Sequence, residues 1–134
     1  MRYLLDTNVC VDYLTGRFPS VGERLHLASP EEVCTSSVVV AELRYGADKS
    51  RHSERNHGLL DVFLDELRGL DFDFDDARTF GRVRQDLESK GMPIGPYDML
   101  IAAQALVRNL ILVTDNEKEF RRVEGLRVEN WRRG

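Results

Sequence analysis

Four carboxylates occupy positions at which acidic side chains do chemistry. Asp6 directly follows the apolar run Tyr3-Leu4-Leu5, and Asp115 follows the continuous run Leu110-Ile111-Leu112-Val113 after one threonine. Glu42 is set inside the apolar stretch Val38-Val39-Val40-Ala41 and Leu43, and Asp98 stands immediately before Met99-Leu100-Ile101-Ala102-Ala103. Ligands of open parallel sheets bind beyond the carboxyl ends of the strands. Asp6 and Asp115 should therefore share one rim, which Glu42 and Asp98 reach from the first turns of helices if their strands are neighbours. Carboxylates crowded together repel and raise one another's pKa unless a cation neutralises them. An all-oxygen donor set without His or Cys suits Mg²⁺ or Mn²⁺ and not zinc. One or two such ions would activate water and stabilise charge during phosphodiester hydrolysis. Thr7, Asn8, Thr114 and Asn116 flank the acids and are placed to orient them. Taken singly, each acid reads as a helix cap or a partner of the helix dipole. Glu42 and Asp98 resist that reading, because an acid on a largely buried helix is costly without a partner. The four together favour a metal site.

The elements that must position these acids alternate. Tyr3–Leu5 reads as a strand ending at the cap-forming residues Asp6-Thr7-Asn8, with short helices expected over 9–14 and 21–28. A strand is expected over Val33–Thr35, and Ser36-Ser37 would cap a helix from Val38 to about Ala47. The spacing of Leu59, Leu60, Phe63, Leu64 and Leu67 predicts a helix within 52–68. Leu70, Phe72 and Phe74 alternate with Asp71, Asp73 and Asp75, the period-two pattern of a strand, after which Asp75-Asp76 would cap a helix running to Gly91. Past the loop Met92–Pro96, Asp98–Val107 reads as a largely buried helix, Leu110–Val113 as the clearest strand, and Leu126–Val128 as an edge strand. Strands separated by helices predict a three-layer α/β/α fold around a central, mostly parallel sheet.

Composition bounds the rest. The 134 residues suit a single domain spanning 1–134, with 42% hydrophobic and 31% charged residues, an ordinary globular balance. A net charge of −4 excludes an overall basic nucleic-acid binder while leaving room for a local basic face. Two such clusters are present: Arg44, Lys49, Arg51 and Arg55, and then Arg121, Arg122, Arg127, Arg132 and Arg133. Cys10 and Cys34 have no metal or disulfide spacing and are expected to be buried in a reducing compartment. No charged-then-apolar leader opens the chain and no run approaches a membrane span, so a cytoplasmic protein without membrane contact is expected. Asp71, Asp73 and Asp75 imitate the start of a calcium loop, but Asp76 and Arg82 stand where glycine and glutamate belong. The three histidines, His26, His52 and His57, lack ligand spacing and read as surface residues.

At the residues that carry the acids the sequence resembles the PIN-domain family, and within it the VapC-type toxins of toxin–antitoxin pairs. The matching segments are Leu4-Leu5-Asp6-Thr7-Asn8, Ser36-Ser37 with Ala41-Glu42-Leu43-Arg44-Tyr45-Gly46, Ile94-Gly95-Pro96-Tyr97-Asp98, Leu112-Val113-Thr114-Asp115-Asn116 with Phe120, and the closing Val123–Trp131. The resemblance implies a Mg²⁺-dependent endoribonuclease, with Mn²⁺ as a substitute, dimeric and held inactive by a VapB-type antitoxin that carries the DNA binding. It places Asp6, Glu42 and Asp98 on the family's acids, with Asp6 and Asp98 as direct metal ligands. The fourth acid departs from the pattern, since many members place it where this chain has Asn116. Three alternatives stay open: Asp115 substitutes, Glu119 reaches in from the next helical turn, or three acids suffice. The Gly-Pro-Tyr-Asp loop is similar to that of toxins cutting initiator tRNA in the anticodon loop, with Tyr97 and Arg44 as expected RNA contacts. The same helix that carries Leu59 to Leu67 could offer a dimer face or an antitoxin groove. Two readings compete. A receiver-type phosphoacceptor domain would need an adjacent acidic pair after the first strand and a lysine ending the last core strand, whereas Asp6 stands between Leu5 and Thr7 and the strand ends at Thr114. The other is a catalytically silent α/β binding domain whose acids only cap helices.

Overall fold

A computed structural model describes residues 1–133 of the chain. Five parallel strands form one sheet: β1 (Tyr3–Leu5), β2 (Val33–Ser36), β3 (Arg68–Leu70), β4 (Ile111–Val113) and β5 (Arg127–Glu129), in the order β3-β2-β1-β4-β5. The helices between them are α1 (Thr7–Thr15), α2 (Pro19–Leu27), α3 (Ser37–Asp48), α4 (Ser53–Asp65), α5 (Phe74–Ser89), α6 (Pro96–Val107) and α7 (Glu117–Phe120). The chain steps outward from β1 through β2 to β3, then returns across to β4 on the far side of β1. Right-handed crossovers therefore set α1–α4 on one face and α5–α7 on the other. The carboxyl ends of β1 and β4 meet where the direction of winding reverses, the place at which such sheets leave a crevice.

Covering both faces requires the central strands to be apolar throughout. Leu4, Leu5, Leu112 and Val113 are fully buried, in register as Leu4 with Leu112 and Leu5 with Val113. Helix α6 adds Ile101, Ala102, Ala103 and Ala105, small enough to bring its axis close to the sheet and to α5. Trp131, in a closing 3₁₀ turn, is buried edge-on to Tyr3 at a centroid distance of 5.2 Å. Both cysteines are buried, as expected. No helix among the described residues is long and apolar enough to cross a membrane.

Three local expectations are corrected. The third strand is Arg68–Leu70, paired in register with Cys34–Ser36, and does not extend over the alternating residues beyond Leu70. Phe74 lies in α5 with 95% of its surface exposed, so the alternation there reflects no buried sheet face. The cap of α5 is Asp73, not Asp75-Asp76: its carboxylate accepts from the Asp76 amide while the Asp76 carboxylate accepts from the Asp73 amide, a reciprocal capping box. Arg108, just past α6, pairs with both acids, at 2.6 Å from Asp76 and 3.2 Å from Asp73, and so ties the two helices together. The last strand runs from Arg127 to Glu129, one residue later than expected.

Candidate active site

Asp6 is the N-cap of α1 and is 7% exposed. One carboxylate oxygen accepts from the Thr7 amide at 2.8 Å and the other from the Thr114 hydroxyl at 2.7 Å. The Asp6 amide donates to the Val113 carbonyl, so the ends of β1 and β4 are stitched together at this residue. The cap reading thus holds for Asp6. Burial pushes the Asp6 carboxyl above its ordinary pKa; the Thr114 and Thr7 hydrogen bonds oppose this, while Glu42 and Asp115 add to it.

Glu42 reaches the rim from the second turn of α3, whose start is fixed by the Ser36 hydroxyl accepting from the Val38 and Val39 amides. Its carboxylate accepts from the Thr7 hydroxyl at 2.8 Å, which makes Thr7 the bridge between Asp6 and Glu42. Asp98 comes from the first turn of α6. Pro96 opens that helix after Gly95, and a Cβ on Gly95 would stand 3.5 Å from the Asp98 carboxylate. Asp98 has no hydrogen-bond donor or cation among the described residues. Burial raises its pKa to about 7, assisted by the charges of Asp6, Glu42, Glu119 and Asp115 in that order. These four acids therefore surround Asp98 electrostatically.

Asp115 is held from two sides. The Asn8 side-chain amide donates to it at 3.2 Å, and Arg132 pairs with it at 3.3 Å. Asn116 donates its side-chain amide to Glu119 at 2.9 Å, and its backbone amide to the Thr114 hydroxyl. All the acids proposed from sequence thus face one rim, and each flanking polar residue touches one of them or its support. Glu119 joins the cluster through Asn116.

The donor chemistry of this rim fits a divalent cation that prefers oxygen: five carboxylates, one of them without a donor among the described residues and held protonated near neutrality by burial and by the charge of the rest. No three of the acid, histidine or cysteine side chains among the described residues converge tightly enough to hold one ion as they stand.

Other expected contacts are distributed differently. Tyr97 is 59% exposed beside Asp98, free to meet a ligand. Arg44 is directed to α4, donating to Asp61 at 2.6 Å and to His57 at 3.0 Å. His57, read from sequence as a plain surface residue, also pairs with Asp48 at 2.7 Å and links α3 to α4. Sequence reasoning missed Asp12. It is 3% exposed in α1 and forms a two-pronged pair with Arg132, 120 residues away, at 2.6 and 3.0 Å. The signal was present: Asp12 lies among Val9, Cys10, Val11, Tyr13 and Leu14, the setting that singled out Glu42.

Fold and site together define a PIN-domain protein, and residues 3–126 match the PIN domain. Over 131 residues and 98% of both chains, the sequence is 42% identical to a tRNA(fMet)-specific endonuclease VapC of Shigella flexneri. It is 43% identical over 132 residues, again 98% of both chains, to ribonuclease VapC2 of Rickettsia felis. Among solved structures, VapBC2 of Rickettsia felis bound to a promoter DNA fragment superposes with a TM-score of 0.91 at 41% identity, covering 98% of this chain and 99% of that one. DNA-bound VapBC of Salmonella typhimurium gives 0.92 at 40% identity over 98% of both. The chain belongs to the PIN-domain family, in its VapC ribonuclease branch.

Proposed function

We propose that this protein is the toxin of a type II toxin–antitoxin pair, a Mg²⁺-dependent endoribonuclease that cuts tRNA, with the initiator tRNA anticodon loop as its target. The observation that carries this reading is the acidic rim at the β1/β4 crevice, where burial, assisted by four neighbouring carboxylates, pushes Asp98 to about 7. Support for the substrate comes from the relative named as a tRNA(fMet)-specific endonuclease, and from exposed Tyr97 beside Asp98, placed to stack an unpaired base.

Asp6 and Asp98 would hold the ion directly; Mn²⁺ has the same donor preference. When bound, it supplies Lewis acidity for activating water and neutralising the phosphorane-like charge. The chain's own part is positional. Thr114 and Thr7 fix both oxygens of Asp6, and Thr7 also holds Glu42, so that one hydroxyl and one amide set the spacing of two acids. Glu42 and Asp115 complete the donor set or orient the attacking water. Silencing is assigned to a VapB-type antitoxin, through which alone the complex meets DNA, and the active form to a homodimer in the cytoplasm. Val11, Leu14, Leu43, Leu59 and Leu60 line a groove of about 480 Å³ between α1, α3 and α4 that opens on Thr7 and Glu42, suited to an apolar antitoxin segment.

The test is incubation of a total tRNA pool with purified, antitoxin-free protein in Mg²⁺, beside EDTA and Asp98→Asn controls. Discrete fragments that vanish in both controls are expected, with ends in the initiator tRNA anticodon loop. Intact tRNA in the presence of folded protein would overturn the substrate, and fragments that persist in EDTA would overturn the chemistry. Persistence in Asp98→Asn alone would overturn the assignment of Asp98.

A further inference from the structure

Arg132 is the one cation paired with any acid of the rim among the described residues, and its position is fixed by a residue outside the rim. Its Nε and one terminal nitrogen engage the two oxygens of Asp12 at 2.6 and 3.0 Å, and its remaining nitrogen lies 3.3 Å from Asp115. The Asp12 side chain is 4% exposed and that of Arg132 27%, with the guanidinium 4.2 Å from the centre of the Phe18 ring. The backbone behind it is anchored as well. Ser20 donates to the carbonyls of Trp131 and Arg132, and the Arg132 amide donates to the Asn130 side chain. A planar guanidinium seated on a two-pronged carboxylate pair and an aromatic ring has little freedom to turn.

We propose that Arg132 is a positioning residue of the nuclease site: buried Asp12 aims its guanidinium at Asp115, holding that carboxylate at the rim with Asn8. This rests on the nuclease reading above. On this assignment Asp115 orients and does not ligate, and cation affinity is set by Asp6, Glu42 and Asp98. The fourth acid of the rim is thereby an internally tethered one. Asp12 and Asp115 sit more than a hundred residues apart in sequence and share one cation, so the closing turn of the chain is part of the site.

Replacing Arg132 alone would leave Asp12 buried without a partner, which destabilises folds strongly. The test therefore uses Asp12→Asn/Arg132→Gln, which removes the buried charge together with its partner, and Arg132→Lys, which keeps the charge without the fork. Mg²⁺ affinity is read by calorimetry, and tRNA cleavage by kcat and KM. The double variant removes one positive and one negative charge together, so its Mg²⁺ affinity should stay within about twofold of the wild type. Its kcat at saturating Mg²⁺ should fall about tenfold or more with KM little changed, because Asp115 is no longer held. Arg132→Lys should keep wild-type Mg²⁺ affinity. Adding Asp115→Asn to the double variant should lower kcat little further, because its carboxylate is already unheld. A folded double variant with wild-type kcat, or a further fall in kcat on adding Asp115→Asn, would overturn the proposal while leaving the nuclease reading intact. A wild-type protein that binds no Mg²⁺ would overturn both.

Discussion

At the scale of single residues, the rim is a set of charges held against their own repulsion. Asp98 shows this most directly, with a carboxyl pushed from 3.8 to about 7 by burial and four acidic neighbours. Between those two values the folded protein keeps a proton on Asp98 that the unfolded chain has released. The native state binds more protons in that window, so without divalent cation its stability falls as pH rises from about 4 to about 7 and levels off above. Asp6 is shifted in the same direction and adds to the trend. Thermal melts in EDTA across this range should show the decline in the wild type and a flatter profile in Asp98→Asn, which should also melt higher than the wild type above pH 7. A wild-type profile that is flat or rises through the window would contradict the burial and crowding of Asp98. Thr114 is the second informative position. Its buried hydroxyl is one of two donors to Asp6 among the described residues, and Thr114→Val would leave a buried carboxylate oxygen unpaired. A loss of about 1–3 kcal/mol is expected in denaturant titration, together with weakened Mg²⁺ binding.

At the scale of elements, what could be read in advance follows from burial. Strands β1 and β4 are covered on both faces, and so were legible as unbroken apolar runs. Leu112→Ala, at the centre of that pair, should cost about 2–5 kcal/mol in equilibrium unfolding. The third strand was misplaced because alternation over Leu70, Phe72 and Phe74 resembles a half-buried strand, whereas pairing with β2 ends at Leu70 and Phe74 points to solvent. Asp73 and Asp76 compete with the strand for the same backbone and win it for α5 by reciprocal capping. Asp73→Ala should therefore lower stability by about 0.5–2 kcal/mol, measured by chemical denaturation, without changing Mg²⁺ affinity, since α5 begins away from the rim. Helix capping also explains why the acids were visible in sequence at all. Asp6 sits where the chain turns from strand to helix, and Asp98 in a first turn preceded by Gly-Pro, both positions that sequence marks locally.

At the scale of the whole molecule, the site exists because the winding of the sheet reverses between β1 and β4, bringing Asp6 beside Thr114 and Asp115. Each acid was legible alone, and their meeting followed from the βα pattern. The Asp12–Arg132–Asp115 chain of charges was not, because 120 residues separate Asp12 from the arginine and nothing local to Arg132 marks it among five C-terminal arginines. An acidic rim of this kind links metal binding to global stability. An ion that binds the folded state alone should raise stability by about 2.7 kcal/mol at a hundredfold excess over its Kd. The most direct test of the central claim, that these carboxylates form one divalent-cation site, is a calorimetric titration of Mg²⁺ into the metal-free protein above pH 7, with Asp98→Asn alongside. The account predicts saturable binding by the wild type and its loss or severe weakening in the folded Asp98→Asn protein. Absence of binding to the wild type, or equal binding by both, would contradict it.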